Sequence, residues 1–308
     1  MGKVPMHVVS ASRRTDIPAF YAEWFLNRVR QGMVRVRSPF HAGYYDVSLD
    51  REDVIAIVFW TKSAEPIVAH LPELESMGHC FTFLYTINNY PPMVEPEVPD
   101  IGHTLRVVQM MAERLPASFM RWRYDTIVLT DSLDRKWHLE NFMRLCRLLA
   151  PYARECIFSF CDYYNKTIRN MEMSLPDFRR PEEAFCKEMA EEMAEIASQW
   201  DIALTSCAHD FLVSARIGKA RCIDPAFLAR VVDSPERLAA LKALKIAPTR
   251  KGCGCAQSRD IGAYDTCGHG CVYCYANARP ELARKNLALA DRERVCLDPR
   301  SIETEEVR

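Results

Sequence analysis

The 308-residue sequence has no run of 18 or more apolar residues, which leaves no candidate for a membrane span. Its first residues, Met1-Gly2-Lys3-Val4-Pro5-Met6-His7, lack a long apolar core, so no secretory signal is expected and a cytoplasmic location is. Neither sign of charge is in excess. Forty basic residues face 41 acidic ones for a formal net charge of −1, which argues against a broad nucleic-acid-binding surface. Internal repeats and low-complexity tracts are missing too. What is present suits a globular chain with a sizeable core, with 49% of its residues hydrophobic. Thirteen cysteines in a chain without a secretion signal read as reduced thiols and metal ligands rather than as a disulfide framework.

Strand-like and helix-like patterns alternate through the first two thirds of the chain. A β-prone run at 6–12 ends in the polar loop Arg13-Arg14-Thr15-Asp16 before a helix with Phe20, Trp24 and Phe25 on one face. The continuous apolar run Val54–Trp60 has the character of a strand buried on both faces, and Thr61-Lys62 follows it. Residues 81–87, 118–129, 155–161 and 202–207 read as four further strands, separated by amphipathic helical stretches. Six such alternations predict an α/β fold with a parallel sheet, either open or a partial barrel. Beyond Cys207, residues 224–246 read as two short helices meeting near Ser234-Pro235, residues 247–275 as loop, and residues 279–308 as a charged helix and tail.

The chemistry-bearing stretch is Cys267-Gly268-His269-Gly270-Cys271-Val272-Tyr273-Cys274. Glycines on both sides of His269 let the backbone curl, and three thiolates at this spacing can hold three irons of a [4Fe–4S] cluster with the fourth iron open. A closed structural zinc site, the alternative, normally needs a fourth protein ligand. Cys253-Gly254-Cys255, with Cys207 and Cys222, offers four more thiols for a second metal, an auxiliary cluster or zinc, against the reading of inert buried cysteines.

Along the fourth strand, Arg121, Arg123 and Asp125 alternate with Met120, Trp122 and Tyr124. If the apolar set meets the helices, the charged set faces inward, where two guanidiniums suit a carboxylate or phosphate. Arg14 and Lys62 each follow a strand and so fall on the face where parallel barrels keep their active sites. His209-Asp210 offers an acid–base pair, although a lone loop histidine is more often structural. Cys161 is a weaker candidate for the same mouth.

The CxxxCxxC spacing with Tyr273 before the last cysteine resembles the cluster loop of the radical S-adenosylmethionine superfamily. Arg13-Arg14-Thr15-Asp16, Phe59-Trp60-Thr61-Lys62, Arg121–Asp125 and Asp260–Cys267 resemble domain of unknown function family 1848, which carries such a cysteine cluster at its C-terminus. The resemblance implies a six-stranded parallel partial (β/α)6 barrel over residues 1–210. A helical, cysteine-rich segment at 211–290 would fold back over the barrel mouth, and a charged tail would occupy 291–308. It implies a [4Fe–4S] cluster on Cys267, Cys271 and Cys274, with S-adenosylmethionine beside Tyr273; Arg14, Lys62, Arg121, Arg123 and Asp125, placed by their strand positions, would then bind the cofactor or substrate. The corresponding function is a radical enzyme acting on a small-molecule substrate, supplied with electrons by a flavodoxin or ferredoxin. Two features depart from that pattern: the cysteine loop follows the last strand instead of the first, and no Gly-Gly-Glu follows the second strand. The alternative function is a metal-stabilised binding or electron-transfer protein, holding zinc or a closed cluster.

Overall fold

The computed structural model describes residues 5–39, 41–117 and 119–301. Ten strands follow in chain order: β1 (His7–Ala11), β2 (Met33–Arg37), β3 (Tyr44–Ser48), β4 (Val54–Thr61), β5 (Phe81–Thr86), β6 (Met120–Ile127), β7 (Glu155–Phe160), β8 (Ala203–Ser206), β9 (Ile217–Lys219) and β10 (Arg259–Asp260). Each of the six strand-like sequence runs forms a strand, namely β1, β4, β5, β6, β7 and β8. The runs are apolar and β-branched or aromatic, and β4 is buried at all eight positions.

The architecture is an eight-stranded parallel sheet in the order β10-β1-β4-β5-β6-β7-β8-β9, with β2 and β3 paired as a separate antiparallel hairpin. This corrects the expected six-stranded partial (β/α)6 barrel. The physical reason lies in the C-terminal third, which supplies two short edge strands. β9 lies beside β8, with Ser206 opposite Lys219, and β10 lies beside β1, with Ser10 opposite Asp260. Ile217-Gly218-Lys219 and Arg259-Asp260 are too short and too polar to show a strand pattern, so neighbouring backbone holds them in the ladder.

From β4 to β9 the strands follow one another in sequence, and most of the helices between them pack into one core on one face of the sheet. The helices Ile101–Ala112 and Arg135–Leu149 start at Asp100 and Asp134, whose carboxylates accept from His103 N and Trp137 N at 2.9 and 2.8 Å. Their apolar stripes, with that of Glu183–Ser198, meet Phe59, Phe83, Trp122, Tyr124 and Phe158 in the main core. The opposite face would otherwise show Val8, Val58, Leu84 and Ile157 to water. Ile223, Leu228, Leu241 and Ala256 from the C-terminal third cover it. Residues 302–308 of the expected tail lie outside the described residues, as does Ser118, the first residue of the expected fourth strand.

Candidate functional site

The C-terminal ends of the parallel strands open into a cavity of about 1640 Å³, larger than the 300–1,000 Å³ typical of small-molecule sites. Its floor begins at the loop after β1. Asp260, at the end of β10, accepts from the Ser10 and Ser12 hydroxyls at 3.0 and 2.7 Å, from Arg13 N at 2.8 Å and from Arg14 Nε at 3.0 Å. Burial alone would raise the Asp260 pKa, but the Arg14 and Arg13 guanidiniums outweigh it and hold the carboxyl below the usual range. Asp16 closes the same loop. One oxygen accepts from Ala19 N at 3.0 Å and caps the helix Ile17–Phe20, and the other lies 2.7 Å from both Lys62 N and His269 Nε2.

His269 thereby fastens the cysteine loop to the strand ends. Its Nδ1 lies 3.2 Å from the Glu97 carbonyl, so both ring nitrogens face oxygen acceptors. Tyr21 OH donates to the Thr266 carbonyl at 2.7 Å and Tyr275 OH to the Arg13 carbonyl at 2.6 Å, anchoring the two sides of the loop.

A second cluster centres on Glu95, which is buried. Lys62 Nζ donates to it at 2.7 Å and Asn88 Nδ2 at 2.9 Å, and Tyr273 OH donates as well. Burial opposes ionisation of both partners. Even so, Glu95 titrates below its usual range because Lys62 faces it, and Lys62 titrates above its own because of Glu95. Lys62 and Tyr273 are therefore already engaged with one carboxylate.

Arg123 and Asp125 form an ion pair at the end of β6, and the Ser159 hydroxyl donates to the same carboxylate. The sheet register slips between Asp125 and Ile127, a bulge of the sort that re-aims side chains near sites. The guanidinium carbons of Arg13 and Arg123 lie 5.0 and 4.9 Å from the centre of the Trp60 ring. On this wall Thr15 Oγ1, Trp60 Nε1 and Arg123 Nε are buried and have no hydrogen-bond partner among the described residues.

Of the residues singled out from the sequence, Arg14, Lys62, Arg123, Asp125 and Tyr273 line the cavity. Arg121 does not. It is the second residue of β6, at the other end of the strand, where Nη2 and Nε make a bidentate pair with Glu155 at 2.6 and 2.8 Å, and Nη1 donates to the Arg221 carbonyl at 2.6 Å. Cys161, Cys207, Cys222, Cys253, Cys267, Cys271 and Cys274 line the cavity, whereas Cys255 lies behind that wall in contact with Cys222 and Cys253. His209 pairs with Asp162 at 3.5 Å, and burial lowers its pKa. Asp260, Glu95, Asn88 and His269 are organising residues that the sequence reading missed. Asp260 and His269 lie inside sequence motifs that assigned them no role. Glu95 and Asn88 sit in a loop with no periodic signal.

The expected metal chemistry is not supported. Among the described residues no group of three or more His, Cys, Asp or Glu side chains is arranged to hold a metal ion. Cys207, Cys222, Cys255 and Cys253 run as a chain of hydrogen-bonded thiols rather than around a common point. In the CxxxCxxC loop, burial pushes the Cys267 thiol up to about 12 and that of Cys271 well above its ordinary value. Cys274 Sγ accepts the Ala276 N–H at 3.3 Å. The expectations of a [4Fe–4S] cluster, of a second cluster or zinc, of S-adenosylmethionine, of a radical enzyme and of a flavodoxin or ferredoxin donor are corrected accordingly. The metal-stabilised alternative falls with them.

Fold and site define an α/β protein with a cation-rich cavity at the C-terminal ends of a parallel sheet. The chain belongs to the family described as Domain of unknown function (DUF1848), which matches residues 8–276. No curated protein and no solved structure matches it. Among the described residues no helix is long and apolar enough to cross a membrane.

Proposed function

We propose that the chain binds a small oxyanion-bearing molecule, a carboxylate or a phosphate ester, in the strand-end cavity. The observation that carries this reading is the Arg13–Trp60–Arg123 wall. Two guanidiniums meet one indole ring there, and Arg123 Nε and Trp60 Nε1 are buried donors that no acceptor among the described residues satisfies. A buried donor left unpaired costs about 1–3 kcal/mol, and an anion that accepts its hydrogen bond recovers that loss. Charge agrees. The cavity wall carries ten lysines and arginines against six aspartates, although the chain as a whole is close to neutral. Residues 1–210 supply six strands of the sheet, and residues 211–290 its two edge strands and part of the cavity wall. A reducing compartment such as the cytoplasm belongs to the same proposal, because thirteen cysteines without a disulfide fit it.

Thermal unfolding against a panel of inorganic phosphate, citrate and adenosine monophosphate tests the reading. At least one anion should raise the midpoint in a concentration-dependent way. Arg123→Met should weaken that anion about tenfold to a hundredfold, the loss expected for hydrogen bonds to a charged group. An equal response in wild type and Arg123→Met, or no response to any anion at 10 mM, would sink it.

A further inference from the structure

A different part of the cavity wall has its own chemistry. Cys207 follows β8 and Cys222 lies three residues beyond β9. The parallel pairing of these strands, continued by Ala220 N donating to the Ser206 carbonyl at 2.9 Å, brings the two thiols side by side. Their sulfurs are 3.8 Å apart, and both residues line the cavity. Arg250 Nη2 donates to Cys207 Sγ at 3.4 Å, and an ion pair with Asp162 steadies the same guanidinium. That guanidinium is placed to stabilise negative charge developing on the Cys207 sulfur. Cys222 is the opposite member of the pair. Its hydrogen bond to Cys207 keeps the proton on it and pushes its pKa up to about 12. Cysteines elsewhere, such as Cys146 and Cys156, sit in the apolar core with no cation beside them and read as packing residues.

We propose that Cys207 and Cys222 form a reversible dithiol–disulfide site opening on the cavity, with Cys207 the attacking sulfur and a peroxide the oxidant. The Cys207 thiolate attacks one peroxide oxygen, and the O–O bond breaks. Cys207 becomes a sulfenic acid and hydroxide leaves, taking up the proton that Cys207 had released. The Cys222 sulfur then attacks Cys207, the S–S bond forms, the S–O bond breaks, and water departs with the Cys222 proton. Two thiols lose two electrons and one hydrogen peroxide becomes two waters. A dithiol such as dithiothreitol reverses the change. Cys255, in contact with Cys222, and Cys253 beyond it are bystanders.

The test uses the reduced full-length protein treated with one equivalent of hydrogen peroxide, quenched, alkylated, digested and read by mass spectrometry. The expected product is a Cys207–Cys222 disulfide that dithiothreitol removes. Cys222→Ser should instead accumulate a dimedone-trappable sulfenic acid on Cys207. Arg250→Met should slow oxidation of Cys207 about tenfold, as expected when a charge-assisted hydrogen bond to the reacting sulfur is lost. Full alkylation of both cysteines in peroxide-treated wild type would overturn the proposal. So would a disulfide that forms first between Cys222 and Cys255 or between Cys253 and Cys255. The wild-type measurement stands by itself should a variant fold poorly, and it does not depend on anion binding.

Discussion

Replacing Asp260 with asparagine should unfasten the cavity floor. The wild-type Oδ1 accepts from Ser12 Oγ at 2.7 Å, Arg14 Nε at 3.0 Å and Gly262 N at 3.2 Å, while Oδ2 accepts from Ser10 Oγ at 3.0 Å and Arg13 N at 2.8 Å. Whichever oxygen becomes the amide nitrogen, at least two donors lose their acceptor, and the Arg14 charge loses its counter-ion. Breaking a largely buried ion pair from one side costs about 3–5 kcal/mol. The effect also depends on pH. The folded Asp260 pKa is depressed below its ordinary 3.8, so its contribution is full above 3.8 and is lost as pH falls through the lower folded value. Urea unfolding followed by circular dichroism from pH 7 down to the acid limit of the folded state reads both quantities. The gap between wild type and Asp260→Asn should be about 3–5 kcal/mol at pH 7 and should narrow below 3.8. A gap under about 1 kcal/mol, or one that stays constant with pH, would refute the reasoning.

Glu95→Gln leaves the Lys62 ammonium buried without its carboxylate and should destabilise by about 3–5 kcal/mol in the same assay, and adding Lys62→Met should restore much of that loss. His269→Ala removes the link to Asp16, so amide exchange across residues 266–277 should quicken at least tenfold while that of β5 and β6 stays unchanged. Arg121→Met breaks the bidentate pair with Glu155 and should lower stability by about 2 kcal/mol, with anion affinity unaltered because Arg121 is outside the cavity wall.

The sheet was legible wherever strands had to be apolar. Val54–Thr61 is buried at every position, and its unbroken hydrophobic run announces that. β9 and β10 were not legible, because an edge strand of two or three residues draws its hydrogen bonds from a neighbour and needs no pattern of its own. Their absence from the sequence reading turned an eight-stranded sheet into a six-stranded barrel. The alternation of Arg121, Arg123 and Asp125 correctly set one face against another, with Met120, Trp122 and Tyr124 in the helix-covered core. Alternation carries no information about height. Two residues along a strand span about 6.6 Å, enough to separate Arg121 at Glu155 from Arg123 at the cavity. The cysteine spacing likewise said which thiols could converge in a flexible loop. It could not say that His269, the residue between the glycines, would bind Asp16, or that Lys62 and Glu95 would pack beside Cys271.

The proposal that the cavity binds oxyanions is tested most directly by locating one. A crystal of the protein soaked in selenate, a tetrahedral oxyanion visible by its anomalous scattering, should show a peak within hydrogen-bond distance, about 3.5 Å, of the Arg123 guanidinium and beside Trp60. That peak should vanish in Arg123→Met. Selenate found only on the outer surface, with the Arg13–Trp60–Arg123 wall empty, would contradict the claim.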